Sequence, residues 1–159
     1  MEPESELSTA GPAGALSFLV GVWRGEGHGV YPTIDAFDYD EEIVFSATGK
    51  PFLAYAQRSW AKDGRPLHVE TGYWRPGDQG AVEVTIAQPT GFAEVAEGTV
   101  VDRVVDVSSK MMGRTSTAKE VSLLRRVIEV KGDVLEYRID MAAVGQPMQN
   151  HLRATLRRA

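Results

Sequence analysis

Apolar and polar positions alternate along most of this chain. Val82, Val84 and Ile86 interleave with Glu83 and Thr85, while Leu135, Tyr137, Ile139 and Met141 interleave with Glu136, Arg138 and Asp140. A period of two sends successive side chains to opposite faces of an extended strand, so such segments predict strands buried on one side. Turn-forming clusters punctuate them: Thr48-Gly49-Lys50-Pro51, Lys62-Asp63-Gly64-Arg65-Pro66, Arg75-Pro76-Gly77-Asp78 and Lys131-Gly132-Asp133. Strands are predicted to begin near Val22, Tyr39, Phe52, His68, Ala81, Phe92, Arg103, Thr117, Val134 and His151. The helical signal is a single short turn, Ala15 to Val20, with Leu16, Leu19 and Val20 on one face. About ten strands joined by short turns predict an all-β fold: one closed antiparallel barrel of the up-and-down kind. A closed sheet of about ten strands is too wide for side chains alone to fill, so it is expected to enclose a cavity for a bulky, mostly apolar ligand.

One strand is unusual. In Gly21-Val22-Trp23-Arg24-Gly25-Glu26-Gly27-His28-Gly29, every glycine and Trp23 fall on odd positions. An extended chain gathers Gly21, Trp23, Gly25, Gly27 and Gly29 on one face and Arg24, Glu26 and His28 on the other. A face of glycines lets the strand bend and lets another backbone come close, with Trp23 free to plug one end of the barrel. The stretch is no phosphate loop, because it lacks the Lys-Ser/Thr ending and opens no helix.

Composition narrows the chemistry. The 159 residues suit one domain. Residues 1–14 are acidic, small and broken by Pro3 and Pro12, and read as a flexible tail ahead of a barrel domain spanning 15–159. The absence of cysteine removes disulfides, zinc–thiolate sites, iron–sulfur clusters and cysteine nucleophiles together. A net charge of −5 with scattered basic residues argues against a nucleic-acid partner. The acidic N-terminus is wrong for a secretory signal, and the apolar stretch from Leu16 to Val22 is too short to cross a bilayer, so a soluble cytoplasmic protein is expected.

The Gly-x-Trp-x-Gly-x-Gly segment, followed by Tyr31-Pro32-Thr33-Ile34, resembles the nitrobindin family. The resemblance continues through Tyr39-Asp40-Glu41-Glu42-Ile43, Gly49-Lys50-Pro51-Phe52-Leu53-Ala54-Tyr55 and His68-Val69-Glu70-Thr71-Gly72-Tyr73. It extends to Ile86-Ala87-Gln88-Pro89-Thr90-Gly91 and Gln146-Pro147-Met148-Gln149-Asn150-His151-Leu152. The resemblance implies a barrel shaped like lipocalins and fatty-acid-binding proteins, with one b-type haem per subunit in its mouth. It implies ferric iron held by a histidine on the last strand, at the position of His151. It also implies reversible nitric oxide binding, conversion of peroxynitrite to nitrate, and homodimers in some members. By the same match, His68 lies near the haem without ligating it, while Thr33 and Lys119 contact the propionates.

The residues themselves leave more open. Of the three histidines, His151 alternates with Arg153 and Thr155 on one face, against Leu152, Ala154 and Leu156 on the other. Pattern does not choose the inward face, although the cavity face of a wide barrel is often polar. A neutral imidazole is a sound haem ligand, and its other ring nitrogen needs an acceptor that the sequence does not name. Met148 is a thioether ligand by chemistry alone, and His28 reads as exposed. Glu41 and Glu42 are adjacent and face opposite ways, so they make a poor acid–base pair. Three other functions fit such a barrel: a carrier of fatty acid or another apolar ligand, a haem-based nitric oxide sensor, and a purely structural role.

Overall fold

The computed structural model describes residues 13–159. Residues 1–12 of the expected tail lie outside the described residues, and Ala13 and Gly14 already belong to the start of the fold. A short 3-10 helix, Gly14–Leu19, is followed by ten strands. They are β1 (Gly21–Tyr31), β2 (Ile34–Ala47), β3 (Leu53–Ala61), β4 (Pro66–Pro76) and β5 (Ala81–Gln88). The second half comprises β6 (Phe92–Val101), β7 (Val104–Arg114), β8 (Val121–Lys131), β9 (Val134–Ala143) and β10 (Gln149–Arg158). Each pairs antiparallel with the next, and β1 pairs with β10, so the sheet closes without a free edge. No helix among the described residues is long and apolar enough to cross a membrane.

The expected barrel and strand number hold, with local differences at the ends. β2 begins at Ile34 rather than near Tyr39, and β8 begins at Val121 rather than near Thr117. Between β6 and β7 the turn is carried by Asp102 and Arg103, both at positive φ, 50° and 62°. Two central residues at positive φ match the twist of a tight hairpin, a geometry usually signalled by Asn-Gly or Asp-Gly. Neither of those signals is present, yet the pattern starts a new strand near Arg103, one residue ahead of the observed Val104.

The glycine face closes the barrel. A Cβ on Gly25 would lie 2.0 Å from the Thr155 carbonyl oxygen and 2.6 Å from the Leu156 Cα, both backbone atoms of β10. A Cβ on Gly27 would meet the Tyr39 ring at 2.1 Å. The first glycine therefore permits the β1–β10 closure and the second makes room for a buried tyrosine.

The barrel is packed at one end and hollow at the other. Leu16 and Leu19 of the 3-10 helix, Trp23, Phe45, Leu53, Trp74, Val82, Val105, Leu135 and Leu156 are all buried there. Trp23 donates its indole N–H to the Leu19 carbonyl at 2.9 Å and lies under the Arg158 guanidinium at 4.2 Å. The helix thus corks the end that Trp23 fills. The opposite halves of the same strands carry the cavity.

Candidate functional site

The cavity has a volume of about 550 Å³ and is walled mainly by apolar side chains, among them Phe37, Phe92, Leu124, Ile128, Ile139 and Leu152. His151 and His68 both line it. So do nine-tenths-buried polar residues, Glu41, Gln57, Glu70, Gln88 and Arg126.

His151 enters the cavity through a bulge. In β10, Asn150 pairs with Asp140 and Leu152 with Ile139, which leaves His151 as the extra residue. A bulge of this kind re-aims a side chain and breaks the strict alternation. His151 and its neighbour Leu152 therefore both line the cavity. Below the bulge alternation resumes: Arg153 and Thr155 are exposed, while Ala154 and Leu156 are buried. His151 consequently does not share a face with Arg153 and Thr155, and the inward face of β10 is apolar rather than polar.

Its imidazole is held firmly. Nδ1 lies 3.0 Å from the Val30 carbonyl oxygen. A carbonyl only accepts, so Nδ1 carries the hydrogen and the Nε2 lone pair is free in the neutral ring. Burial lowers the histidine pKa, the Val30 bond pulls it back up, and nearby His68 lowers it again. Tyr31 packs edge-on against the ring, centroids 5.4 Å apart. The Tyr31 hydroxyl accepts from the Ala143 N–H at 2.9 Å and donates toward the Met141 carbonyl at 3.2 Å. Val30 is the acceptor that the sequence did not name.

His68 is tied elsewhere. Its Nε2 donates to Glu70 Oε1 at 3.1 Å. Glu70 also accepts from the Tyr55 hydroxyl at 2.9 Å and from Arg126 Nη1 at 2.9 Å. Burial alone would raise its pKa, but the Arg126 guanidinium and the His68 bond outweigh it and hold Glu70 at about 2. Arg126 also grips Glu94, and Gln88 donates to both carboxylates at 3.2 Å.

A second polar group sits beside the first. Glu41 Oε2 accepts from Gln57 Nε2 at 2.7 Å and from the Tyr137 hydroxyl at 3.0 Å, and Tyr137 is 2.7 Å from the Tyr39 hydroxyl. Burial pushes Glu41 up to about 7, against the lowering pull of Gln57 and Tyr137. Glu41 Oε1 is buried without a partner. Glu42 points outward to Arg24 and Arg58, at 2.9 Å and 3.0 Å, as the alternation expected.

These buried polar groups escaped the sequence reading. The signal lay in the alternation, where Glu41 stands between Tyr39 and Ile43 and Arg126 between Leu124 and Ile128, each in the inward phase. Thr33 is exposed in the β1–β2 turn and Lys119 is exposed in the β7–β8 loop; both are at the hollow end, and neither lines the cavity. The cation at the cavity mouth is Arg65, from the β3–β4 turn. Met148 does not line the cavity. His28 is exposed and pairs with Asp38 at 2.7 Å.

The cavity suits a large, flat, apolar group that carries a metal. It offers an apolar wall, one neutral imidazole with a free nitrogen, and an arginine at the mouth. Comparison with known proteins agrees. A model of the THAP4-like, heme-binding beta-barrel domain matches residues 13–158. A peroxynitrite isomerase of Nocardia farcinica is 50% identical over 99% of this chain and 96% of that protein. Peroxynitrite isomerase 2 of Mycobacterium avium is 49% identical over 91% of this chain and 92% of that protein. The crystal structure of Rv2717c from M. tuberculosis superposes with a TM-score of 0.84 at 46% identity, covering 91% of this chain and 97% of that one.

Proposed function

This chain belongs to the THAP4-like haem-binding β-barrel family, and we propose that it holds one b-type haem in the barrel mouth and converts peroxynitrite to nitrate. The observation that carries the reading is His151: its Nδ1 is committed to Val30 and its Nε2 is free at the cavity wall. When bound, ferric haem supplies an open coordination position and a one-electron couple for cleaving the O–O bond of the anion.

The protein's part is to bind, orient and exclude water. His151 Nε2 would hold the iron, and the Val30 carbonyl fixes the tautomer that presents it. Tyr31, itself anchored on β9, keeps the ring from turning. His68 gives its Nε2–H to Glu70, which ties its ring to the buried polar cluster, and it is assigned no bond to the iron. Its role is to border the pocket. Arg65 at the mouth would meet the propionates, with Thr33 of the β1–β2 turn and Lys119 of the β7–β8 loop as outer contacts. The apolar wall disfavours ordered water beside the reacting anion. Nitric oxide is the second small ligand of the same site. A cytoplasmic location and self-association into a homodimer complete the reading.

A fatty-acid carrier is disfavoured by one observation. The arginine that could greet a carboxylate at the cavity floor, Arg126, is already gripped by Glu70 and Glu94. A further carboxylate beside the buried Glu41, Glu70 and Glu94 would place like charges together in a low dielectric. Peroxynitrite decay and nitrate yield, followed with haem-loaded and haem-free protein, test the proposal. Faster decay and higher nitrate yield with haem are expected; equal rates with both forms overturn it.

A further inference from the structure

We propose that Tyr137 is a redox-active tyrosine: nitrogen dioxide, the radical that peroxynitrite releases on homolysis, takes an electron from its ring while Glu41 Oε2 takes its phenolic proton. The chain has five tyrosines, and their hydrogen-bond partners separate them. Tyr31 donates toward backbone carbonyls, which cannot accept a proton outright. Tyr73 is exposed on the outer face of β4 against Phe52. Tyr55 donates to Glu70, but Arg126 and His68 hold that carboxylate at about 2, so it is a poor base. Tyr137 donates to Glu41 at 3.0 Å. Glu41 makes no direct ion pair among the described residues and rests at about 7, a far stronger base than Glu70.

Burial makes the coupling necessary. Tyr137 is 7% exposed, and a positively charged phenol radical in that setting carries a heavy desolvation cost. The electron therefore leaves only if the proton leaves too. The bond for that transfer is already made. Tyr39, 2.7 Å away, lies in the space that Gly27 vacates; because Tyr137 gives its one hydroxyl hydrogen to Glu41, Tyr39 donates to the Tyr137 oxygen and goes on doing so after the transfer. Both tyrosines line the cavity, where a small neutral radical would be released.

The step balances. Tyr137 phenol, Glu41 carboxylate and nitrogen dioxide become the Tyr137 phenoxyl radical, Glu41 carboxylic acid and nitrite. A second nitrogen dioxide then couples at the ring carbon beside the oxygen. A C–N bond forms, the hydrogen on that carbon moves to the phenolic oxygen, and 3-nitrotyrosine remains. Tyr137 thereby absorbs oxidant that escapes the haem site. The inference rests on the proposed peroxynitrite chemistry only for the source of the radical.

The test uses haem-loaded protein treated with peroxynitrite, and separately haem-free protein exposed to nitrogen dioxide generated by radiolysis. Nitrated residues are mapped by peptide mass spectrometry, and the radical is observed by freeze-quench paramagnetic resonance. Nitration is expected mainly at Tyr137, above the exposed Tyr73. Glu41→Gln, which keeps the shape but removes the base, is expected to cut Tyr137 nitration at least tenfold, whereas Tyr55→Phe leaves it unchanged. Tyr137→Phe is expected to abolish the tyrosyl signal, which keeps the proposal testable even if Glu41→Gln fails to fold. Nitration concentrated at Tyr73, an unchanged yield in folded Glu41→Gln, or a tyrosyl signal that survives in Tyr137→Phe overturns the proposal. The radiolytic arm does so independently of whether the haem reading holds.

Discussion

Replacing Arg126 by methionine removes the guanidinium that lies between two buried carboxylates, Glu70 and Glu94, and leaves both buried without it. Glu70 gives the scale. Its fall from 4.5 to about 2 in the folded protein, with Arg126 the leading favourable influence, corresponds to about 3 kcal/mol at roughly 1.4 kcal/mol per factor of ten. Breaking a buried pair by removing one partner typically costs about 3–5 kcal/mol, which agrees. The sign with pH is definite. A carboxylate whose folded pKa is depressed contributes stability above its unfolded value of 4.5, and loses it as pH falls through about 2. In Arg126→Met burial dominates and pushes Glu70 above its ordinary range, so stability should instead rise as pH falls and Glu70 protonates. Urea unfolding followed by tryptophan fluorescence from about pH 2 to about pH 8 measures both effects. The triple change Arg126→Met, Glu70→Gln, Glu94→Gln is expected to recover most of the loss. A loss below about 1 kcal/mol, or a loss that does not change with pH, would refute the reasoning.

Two further outcomes follow from the same geometry. Gly25→Val drives a side chain into the β10 backbone and is expected to cost at least about 3 kcal/mol, while Gly113→Ala, with nothing within 4 Å, should change stability by less than about 1 kcal/mol; thermal melts of the two variants check the contrast. Glu41, raised to about 7, binds a proton in the fold that the unfolded chain has released, so its contribution is complete below 4.5 and is lost as pH rises through about 7. Glu41→Gln should therefore flatten the stability–pH curve between those values; an unchanged slope in the variant would contradict this assignment.

The fold was legible because the period-two pattern and turn clusters run through nearly the whole chain. Ten strands, the closing role of Gly25 and the burial of Trp23 all follow from local pattern. The β6–β7 break was legible to within a residue, but its geometry was not, because the positive φ angles of Asp102 and Arg103 are imposed by the strands they join. His151 was reached by resemblance, since a bulge overrides the alternation that would have turned it outward with Arg153. No local pattern announces such a bulge. The buried cluster around Arg126 was legible in principle, as polar residues at inward positions, but its partners come from four different strands and only the closed barrel brings them together.

The central claim is that His151 presents Nε2 to haem iron while Val30 holds its other nitrogen. Haem titration of the purified protein, monitored by the Soret band, tests it most directly when His151→Ala and His151→Gly with added imidazole are run alongside. A saturable band at one haem per chain is expected, lost or weakened at least about tenfold in His151→Ala and restored by imidazole in His151→Gly. An unchanged Soret position and unchanged affinity in His151→Ala would contradict it.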